Sequence, residues 1–561
     1  MQRKGLIDMG VIDVRAIMGG NSDFKKVRER DGLYVDKSMI IDGILKETWE
    51  VMLFTRPRRF GKTTNLSMIK YFFDIEEADK NRELFKGLKI ENTDSMKYFG
   101  QYPVIFLSLK DIKQSTKEES MDFFKELIYD LYSNYRYLIE NMETSDKIYF
   151  ENVLLRKENN LSMALRYLMK FLYEYHKKKV VVLIDEYDTP LITAYIKNYY
   201  NEVIDFYRVF FATAFKDIYL EKSVITGINR IAREGIFSGL NNLKVCSVLS
   251  NDFGDCFGFT EEEVKELLTE YEMEKTFNKV KHWYDGYNLG GYSIYNPWSM
   301  ANYLNGAGFK SHWINSGDNE LITQSLKNVA TKDTFEDLEE LFKGKTMKAD
   351  IDKKIIFKDL ETPEQLWNLM LNAGYLTCTG EIRERYKLRI PNFEIQRYFE
   401  KAFIDNFVHN RRKIRNIVDA VVEGDISEFE TELKEHILAS GSYIISDKEN
   451  FYQGYMLGLF IVLKPYFYAK LEGETGLGRC DISLEAFDKK DMSYIIELKV
   501  VKNEKELKEI TENAINQIKE KEYYTEFRAK KLENVTLIGI TFCGKMVGFI
   551  SETVNFQNDF K

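Results

Sequence analysis

The feature that most restricts the fold of this 561-residue chain is a loop between two apolar segments. Val51-Met52-Leu53-Phe54 precedes it, and Asn65-Leu66-Ser67-Met68-Ile69-Lys70-Tyr71-Phe72-Phe73 follows it. The first segment reads as a buried strand and the second as an amphipathic helix. The loop between them, from Thr55 and Arg56 through Pro57, Arg58, Arg59 and Phe60, ends in Gly61-Lys62-Thr63-Thr64. Strand, glycine-bearing loop and helix N-terminus in this order form the setting of a phosphate-binding loop. Gly61 would let the backbone approach a phosphate, Lys62 would reach the β- and γ-phosphates, and Thr63 would offer a hydroxyl to Mg²⁺. Arg58, Arg59 and Thr64 complete the candidate contacts, and the helix end adds partial positive charge. Arg56 stands where the motif has its first glycine, so spacing alone also admits a basic turn before a helix.

A second signal favours the phosphate reading. Val180-Val181-Val182-Leu183-Ile184 is a strand buried on both faces, and Asp185-Glu186 stand at its carboxyl end. Ligands of open α/β sheets gather at that end. Asp185 would hold Mg²⁺ through water, and Glu186 would orient or deprotonate an attacking water. Alone, the segment also reads as a core strand ending in the polar turn Asp188-Thr189-Pro190. Two further strands are expected, Pro103–Leu109 and Ser223–Arg230. In the latter, Thr226 and Asn229 are candidate γ-phosphate sensors, and Arg230 or Arg233 a charge stabiliser. Each also fits a plain strand end. Strands alternating with helical stretches at 118–178 and 192–219 predict a mostly parallel, helix-covered sheet. Asp36-Lys37 lie just before the loop strand. They fit a nucleotide base or ribose less well than a solvated turn.

The chain is too long for one core. We expect a P-loop region over 1–245, a helical lid and connector over 246–400, and a carboxyl-terminal domain over 401–561. Thr260 and Glu263 predict a capping box at a helix start. The aromatic stretches Trp283–Tyr287 and Tyr295–Trp298 read as packing turns ahead of base-stacking platforms. Arg411-Arg412-Lys413-Ile414-Arg415 reads as a solvated helix face or a phosphate contact. The net charge of -9 gives no global attraction to nucleic acid. Five cysteines without a C-x-x-C pair read as free thiols in a reducing compartment. No apolar run approaches the roughly 18 residues of a membrane span, and Met1–Gly5 has no apolar signal region behind it. A cytoplasmic protein without membrane contact is expected.

The carboxyl-terminal part has its own chemistry. Gly478–Leu484 reads as a short strand carrying Asp481, followed after a turn by Ser493-Tyr494-Ile495-Ile496-Glu497-Leu498-Lys499-Val500. Alternation puts Glu497 and Lys499 on one face of their strand. With Asp481 on the adjacent hairpin strand, two carboxylates would converge on Mg²⁺, which prefers oxygen donors. Lys499 would polarise a water or stabilise charge at phosphorus. Glu449 is a candidate third carboxylate. Gln517, in a helix expected to begin near Asn513, would orient the lysine or a phosphate. A paired surface Glu–Lys on an edge strand is the plainer alternative.

Taken together, the chain resembles bacterial proteins that fuse an AAA-ATPase-like domain to a C-terminal PD-(D/E)XK nuclease-like domain. The resemblance spans nearly its whole length. It rests on Tyr34-Val35-Asp36-Lys37, the loop from Phe54 to Thr63, and Leu183–Asp188. It continues through Ile236–Leu243, Trp283–Tyr287, Tyr295–Trp298, Leu366-Trp367 and Gly374–Thr377, and ends in Glu449–Tyr452, Asp481 and Glu497-x-Lys499. The arginine-rich loop without its first glycine is typical of that family. The resemblance implies a P-loop NTPase of the AAA/ASCE type and a restriction-endonuclease-like α/β domain. It implies ATP and Mg²⁺ as cofactors, with Mn²⁺ also possible at the second site. Lys62 and Thr63 would contact nucleotide and metal, with Asp185 and Glu186 as the Walker B pair. Asp481, Glu497 and Lys499 match the nuclease motif, with Glu449 as upstream acid. Gln453 departs from the histidine expected there and puts metal affinity or cleavage rate in question. The implied partner is nucleic acid, DNA ahead of RNA, and a homo-oligomer is compatible. A nucleotide-switched interaction protein, with the nuclease fold as a binding module only, is the reading from another class.

Overall fold

Strand β1, Val51–Thr55, is buried at every position because both of its faces are covered. Val51 and Leu53 enter one core with Val180, Val182, Ile184 and Ile225, packed by Phe124, Leu168 and Phe210. Met52 and Phe54 enter another with Val181, Leu183 and Val224, packed by Leu66, Ile69 and Phe72. Side chains alternate across a strand, so a run apolar at every position is what a sheet sandwiched between helices requires. Each such side chain contributes about 1.5–3 kcal/mol on burial.

These coordinates come from a computed structural model, which describes residues 22–229, 236–237, 240–313, 337–338, 340–341, 344–351, 362–399, 411–439, 463, 466–475 and 478–556. Those within 1–329 and 346–395 cluster as one compact unit, and those within 330–345 and 396–561 as another.

The first unit is built on a five-stranded sheet in the order β2-β3-β4-β1-β5, with β2 Val104–Ser108, β3 Val180–Asp185, β4 Leu220–Gly227 and β5 Leu243–Cys246. Every pairing is parallel. Helices Lys117–Ser133, Ala164–His176 and Tyr200–Phe215 cover one face, and Lys62–Phe73 the other. Because β4 lies between β1 and β3, Phe54 pairs with Thr226 while Ile184 pairs with Ile225. The carboxyl ends of the three strands therefore align, and the loops leaving them share one rim.

Beyond β5 the chain is not helical throughout. It adds two three-stranded antiparallel sheets. One has the order β6-β8-β7, from β6 Phe259–Thr260, β7 Tyr287–Leu289 and β8 Tyr292–Tyr295. The other has the order β10-β11-β9, from β9 Met347–Ala349, β10 Thr377–Ile382 and β11 Arg385–Arg389. The Thr260–Glu263 capping box is present at the start of helix Glu261–Glu270. Tyr284, Tyr287 and Tyr295 are buried, and Trp283 packs edge-on against Phe393.

The second unit is a mixed sheet, β12-β13-β14-β15-β16, from β12 Phe467–Thr475, β13 Gly478–Ala486, β14 Met492–Val500, β15 Asn534–Cys543 and β16 Met546–Asn555. Only β14 and β15 pair in parallel among these neighbours. A parallel pair needs a crossover, which helix Leu507–Glu520 supplies, its buried stripe Thr511, Ala514, Ile515 and Ile518 facing the sheet. The helix begins six positions before the expected Asn513, because Asn503 caps a preceding short turn, Glu504–Glu506, that leads straight into it.

None of the five cysteines is in a disulfide among the described residues. Among the described residues no helix is long and apolar enough to cross a membrane. Arg230, Arg233, Glu449, Tyr452 and Gln453 lie outside the described residues, as do the side chains of Arg411 to Ile414.

Candidate functional sites

The phosphate-loop region is assembled by backbone conformation first. Gly61 ends the loop at φ 80° and precedes helix Lys62–Phe73. That left-handed conformation is one a side chain resists. Arg59 also has positive φ, 65°. Lys62 turns back onto its own loop, donating to the carbonyls of Arg56 (3.0 Å) and Pro57 (2.8 Å). Burial lowers its pKa, opposed by the nearby charges of Glu186 and Asp185.

Arg56, at the position of the missing glycine, is fully buried. It donates to the carbonyls of Thr55 (3.0 Å), Cys246 (2.7 Å) and Phe253 (3.2 Å), and stacks over the Phe257 ring at 5.0 Å. Burial lowers its pKa to about 10. The residue thus ties the loop to the segment after β5 instead of reaching for a ligand.

The acids of β3 stand opposite. Asp185 is buried, with Thr63 Oγ1 donating to its Oδ2 (2.9 Å) and Thr226 Oγ1 to its Oδ1 (2.7 Å). Burial raises its pKa, and the Thr226 hydrogen bond works against that rise. Thr226, expected as a phosphate sensor, is here the partner of an acid on the adjacent strand. Glu186 follows at φ 51°, in the left-handed region, and accepts from Thr189 Oγ1 at 3.1 Å. Such a backbone costs about 1–3 kcal/mol and gathers at functional sites. Asp188, not singled out from sequence as a site residue, is buried and accepts from the backbone N–H of Ile228 (2.9 Å) and Asn229 (2.8 Å). Burial pushes its pKa up to about 6. Asn229 is buried, its Oδ1 without a hydrogen-bond partner among the described residues.

These elements line a cavity of about 900 Å³. Arg58, Arg59, Gly61, Lys62, Thr63, Thr64 and Glu186 all contribute to its wall. Its charged lining is six cations, Lys37, Arg58, Arg59, Lys62, Lys110 and Lys113, against two acids, Asp111 and Glu186. An apolar end is formed by Val27, Leu33, Val35 and Phe259. Lys37 does not sit in a solvated turn, as the sequence had suggested. It is buried, ion-paired with Glu263 at 2.7 Å and donating to the Asp255 carbonyl, because the capping-box acid lies within its reach. Asp36 accepts from the backbone N–H of Ser38 and Lys89.

Two tryptophans grip the loop from outside. The Arg59 guanidinium lies 4.3 Å from the Trp298 ring centre, and Trp313 Nε1 donates to the Arg58 carbonyl at 2.9 Å. Buried Glu394 accepts from Ser299 Oγ (2.7 Å) and Trp313 N–H (2.8 Å) and so links the two tryptophan segments. Gly374, at φ 89°, packs where a Cβ would meet Pro57 Cβ at 2.8 Å. No local pattern signals these contacts, since even the nearest partners, Glu394 and Trp313, are 81 positions apart.

The acid cluster of the second unit is set by register. Ile482 pairs with Ile496 across β13 and β14, which brings Asp481 opposite Glu497. Asp481 Oδ2 accepts from the Leu498 N–H at 2.7 Å. Glu497 is buried, and its Oε1 accepts from Lys499 Nζ (2.8 Å) and Gln517 Nε2 (2.5 Å). Gln517 also donates to Tyr523 OH at 3.3 Å. Burial raises the Glu497 pKa, the Asp481 charge adds to the rise, and Lys499 opposes it. Glu497 Oε2 is buried with no hydrogen-bond partner among the described residues. A hard divalent cation takes oxygen donors, and this unmet oxygen beside Asp481 fits such an ion. Among the described residues no third acid, histidine or cysteine joins them in a metal-holding group.

Comparison with known proteins matches these two regions separately. A family model described as a predicted AAA-ATPase matches residues 19–237. The PD-(D/E)XK nuclease superfamily model matches residues 447–552. A protein of Azotobacter chroococcum mcd 1, described as an uncharacterized protein in the vnfD 5'region, is 25% identical over 569 residues, covering 95% of this chain and 98% of its own length. One chain thus carries a region that matches a predicted AAA-ATPase family model and, after it, a region that matches the PD-(D/E)XK nuclease superfamily model.

Proposed function

We propose that the protein binds and hydrolyses ATP in its first unit and cleaves nucleic-acid phosphodiester bonds, with a divalent metal, in its second, cleavage being under nucleotide control. We assign residues 1–245 to nucleotide binding, 246–400 to a lid and connector, and 401–561 to cleavage. The observation that carries the nuclease half is the buried Oε2 of Glu497, without a partner among the described residues, on a residue across the strand pair from Asp481 and ion-paired to Lys499. The cation-rich cavity at the start of helix Lys62–Phe73 supports the nucleotide half.

In the first unit Lys62 leaves the Arg56 and Pro57 carbonyls for the β- and γ-phosphates, with Arg58, Arg59 and Thr64 as further phosphate contacts. Thr63 and Asp185 hold Mg²⁺, Asp185 through water. Glu186 takes the proton of the attacking water. Asn229 and Arg230 complete the nucleotide contacts. In the second unit Asp481 and Glu497, with Glu449, hold Mg²⁺ or Mn²⁺. A cation so held supplies Lewis-acid charge beside phosphorus. Lys499 orients the attacking water, and Gln517 fixes the Glu497 carboxylate. DNA is the first substrate to try, RNA the second. Five cysteines outside any disulfide support a cytoplasmic setting.

The test incubates the full chain with single- and double-stranded DNA and RNA, Mg²⁺ or Mn²⁺, with and without ATP. Asp481→Ala and Lys62→Ala are run beside it, and its mass in solution shows whether copies associate. Cleavage that disappears with Asp481→Ala is expected. No cleavage of any substrate by the unmodified protein would favour a nucleotide-switched interaction protein, a reading that the net charge of -9 supports.

A further inference from the structure

The cavity extends past Glu186 to a wall that the nucleotide contacts above do not use. Ser108, the last residue of β2, pairs with Asp185, and the Leu109 N–H donates to the Asp185 carbonyl at 2.9 Å. Neighbouring strands run about 4.8 Å apart, so Lys110 leaves the sheet one strand away from Glu186. Leu109 and Ile112 are fully buried and close a turn through the Ile112 N–H and the Leu109 carbonyl, 3.2 Å. With these two anchored, Lys110 and Lys113 are exposed, and both line the cavity. Neither makes an ion pair or hydrogen bond through its side chain among the described residues. Opposite them Thr189, Ile192, Thr193 and Ile196 present one face of helix Thr189–Ile196 to the same space. Asp111 lies between the lysines and also lines the cavity, leaving this wall with two cations to one acid.

Two ammonium groups that have no side-chain partner among the described residues and line the same cavity as Glu186 are placed for a phosphate, since anions pair with such donors through charge-assisted hydrogen bonds. We infer that Lys110 and Lys113 recognise the terminal phosphate of the bound nucleotide and stabilise its charge during hydrolysis, an inference that rests on the nucleotide reading above. In that reaction the water oxygen bonds to the γ-phosphorus and passes a proton to Glu186. The bond from the γ-phosphorus to the β–γ bridging oxygen breaks, and its electron pair stays with ADP. The lysines form no covalent bond. They donate hydrogen bonds to oxygens that ADP lacks, so their contribution separates a triphosphate from a diphosphate.

The test compares the full chain with the Lys110→Gln/Lys113→Gln double variant. Equilibrium competition binding is measured with Mg·ATPγS and with Mg·ADP, and steady-state ATP turnover is followed beside it. Loss of two charge-assisted contacts is expected to weaken ATPγS binding by about 30-fold or more. ADP binding stays within about two-fold and also shows that the variant remains folded, while kcat falls. An unchanged ratio of the two affinities, or equal loss of both, would overturn the inference and leave the nucleotide site standing. If the unmodified protein binds neither nucleotide, the site assignment and the inference fall together.

Discussion

The two acid-bearing sites satisfy their polar groups differently. At the phosphate loop the central lysine and the central acid both have partners from the chain itself. Lys62 rests on two loop carbonyls, and Asp185 accepts from Thr63 and Thr226. At the acid cluster Glu497 Oε1 has two donors while its Oε2 has none among the described residues. A ligand at the first site must replace hydrogen bonds already made, so its net gain comes from charge. A cation at the second relieves an unmet desolvation cost of about 1–3 kcal/mol. At the first site Lys62 and Asp185 are satisfied before any ligand arrives, and at the second one carboxylate oxygen is not.

Reciprocal loss of activity is the largest effect this contrast predicts. Asp481→Ala should abolish metal-dependent cleavage, by at least about a hundred-fold, with nucleotide binding intact. Lys62→Ala should remove nucleotide binding and turnover while basal cleavage without ATP persists. Parallel assays of both variants check it, and loss of both activities in either variant would break the separation.

The next effect concerns buried acids. Glu394 in the first unit has its pKa pushed up to about 7 by burial, from an ordinary 4.5, against the opposing hydrogen bonds of Trp313, Ser299 and His312. An acid whose folded pKa exceeds its unfolded value stabilises the fold fully below the unfolded value. That contribution is lost as pH rises through the folded one. Stability of the first unit should therefore fall between pH 4.5 and 7 by up to about 3 kcal/mol, and Glu394→Gln should flatten that slope. Urea titrations of both proteins across this range measure it.

Metal alone gives a comparable shift in the second unit. Saturating Mg²⁺ or Mn²⁺ should raise its unfolding midpoint by the equivalent of about 2–3 kcal/mol at a hundred times the Kd. Glu497→Gln should abolish this response. Equal stabilisation of that variant would show that the unmet oxygen is not the ligand.

Gly374→Ala is the smallest. Forcing a Cβ at φ 89° against Pro57 should cost about 1–3 kcal/mol and weaken nucleotide binding several-fold by displacing the loop. Thermal unfolding and a nucleotide titration read the two effects.

Much of this was legible locally. The apolar run into β1, the glycine before Lys62, the run into Asp185-Glu186 and the alternation of Glu497 with Lys499 are short-range signals, and each element formed where its pattern predicts. The role of Arg56 was not legible. As a sequence position it is a defect in a glycine motif, yet in the fold it is a buried clamp on Cys246 and Phe253. Lys37 misled for the same reason, its partner Glu263 being 226 positions away.

The chain's order of residues determined which segments become strands and helices, and which acids and lysines stand at their ends, because periodicity and backbone preference act over a few neighbours. Tertiary structure decided that β4 inserts between β1 and β3 to bring Thr226 to Asp185, and that Trp298 and Trp313 hold the phosphate loop. It also decided that Glu497 keeps an oxygen without a partner among the described residues. Hydrogen-bond satisfaction and burial depend on what packs from distant parts of the chain, and no local pattern carries that information.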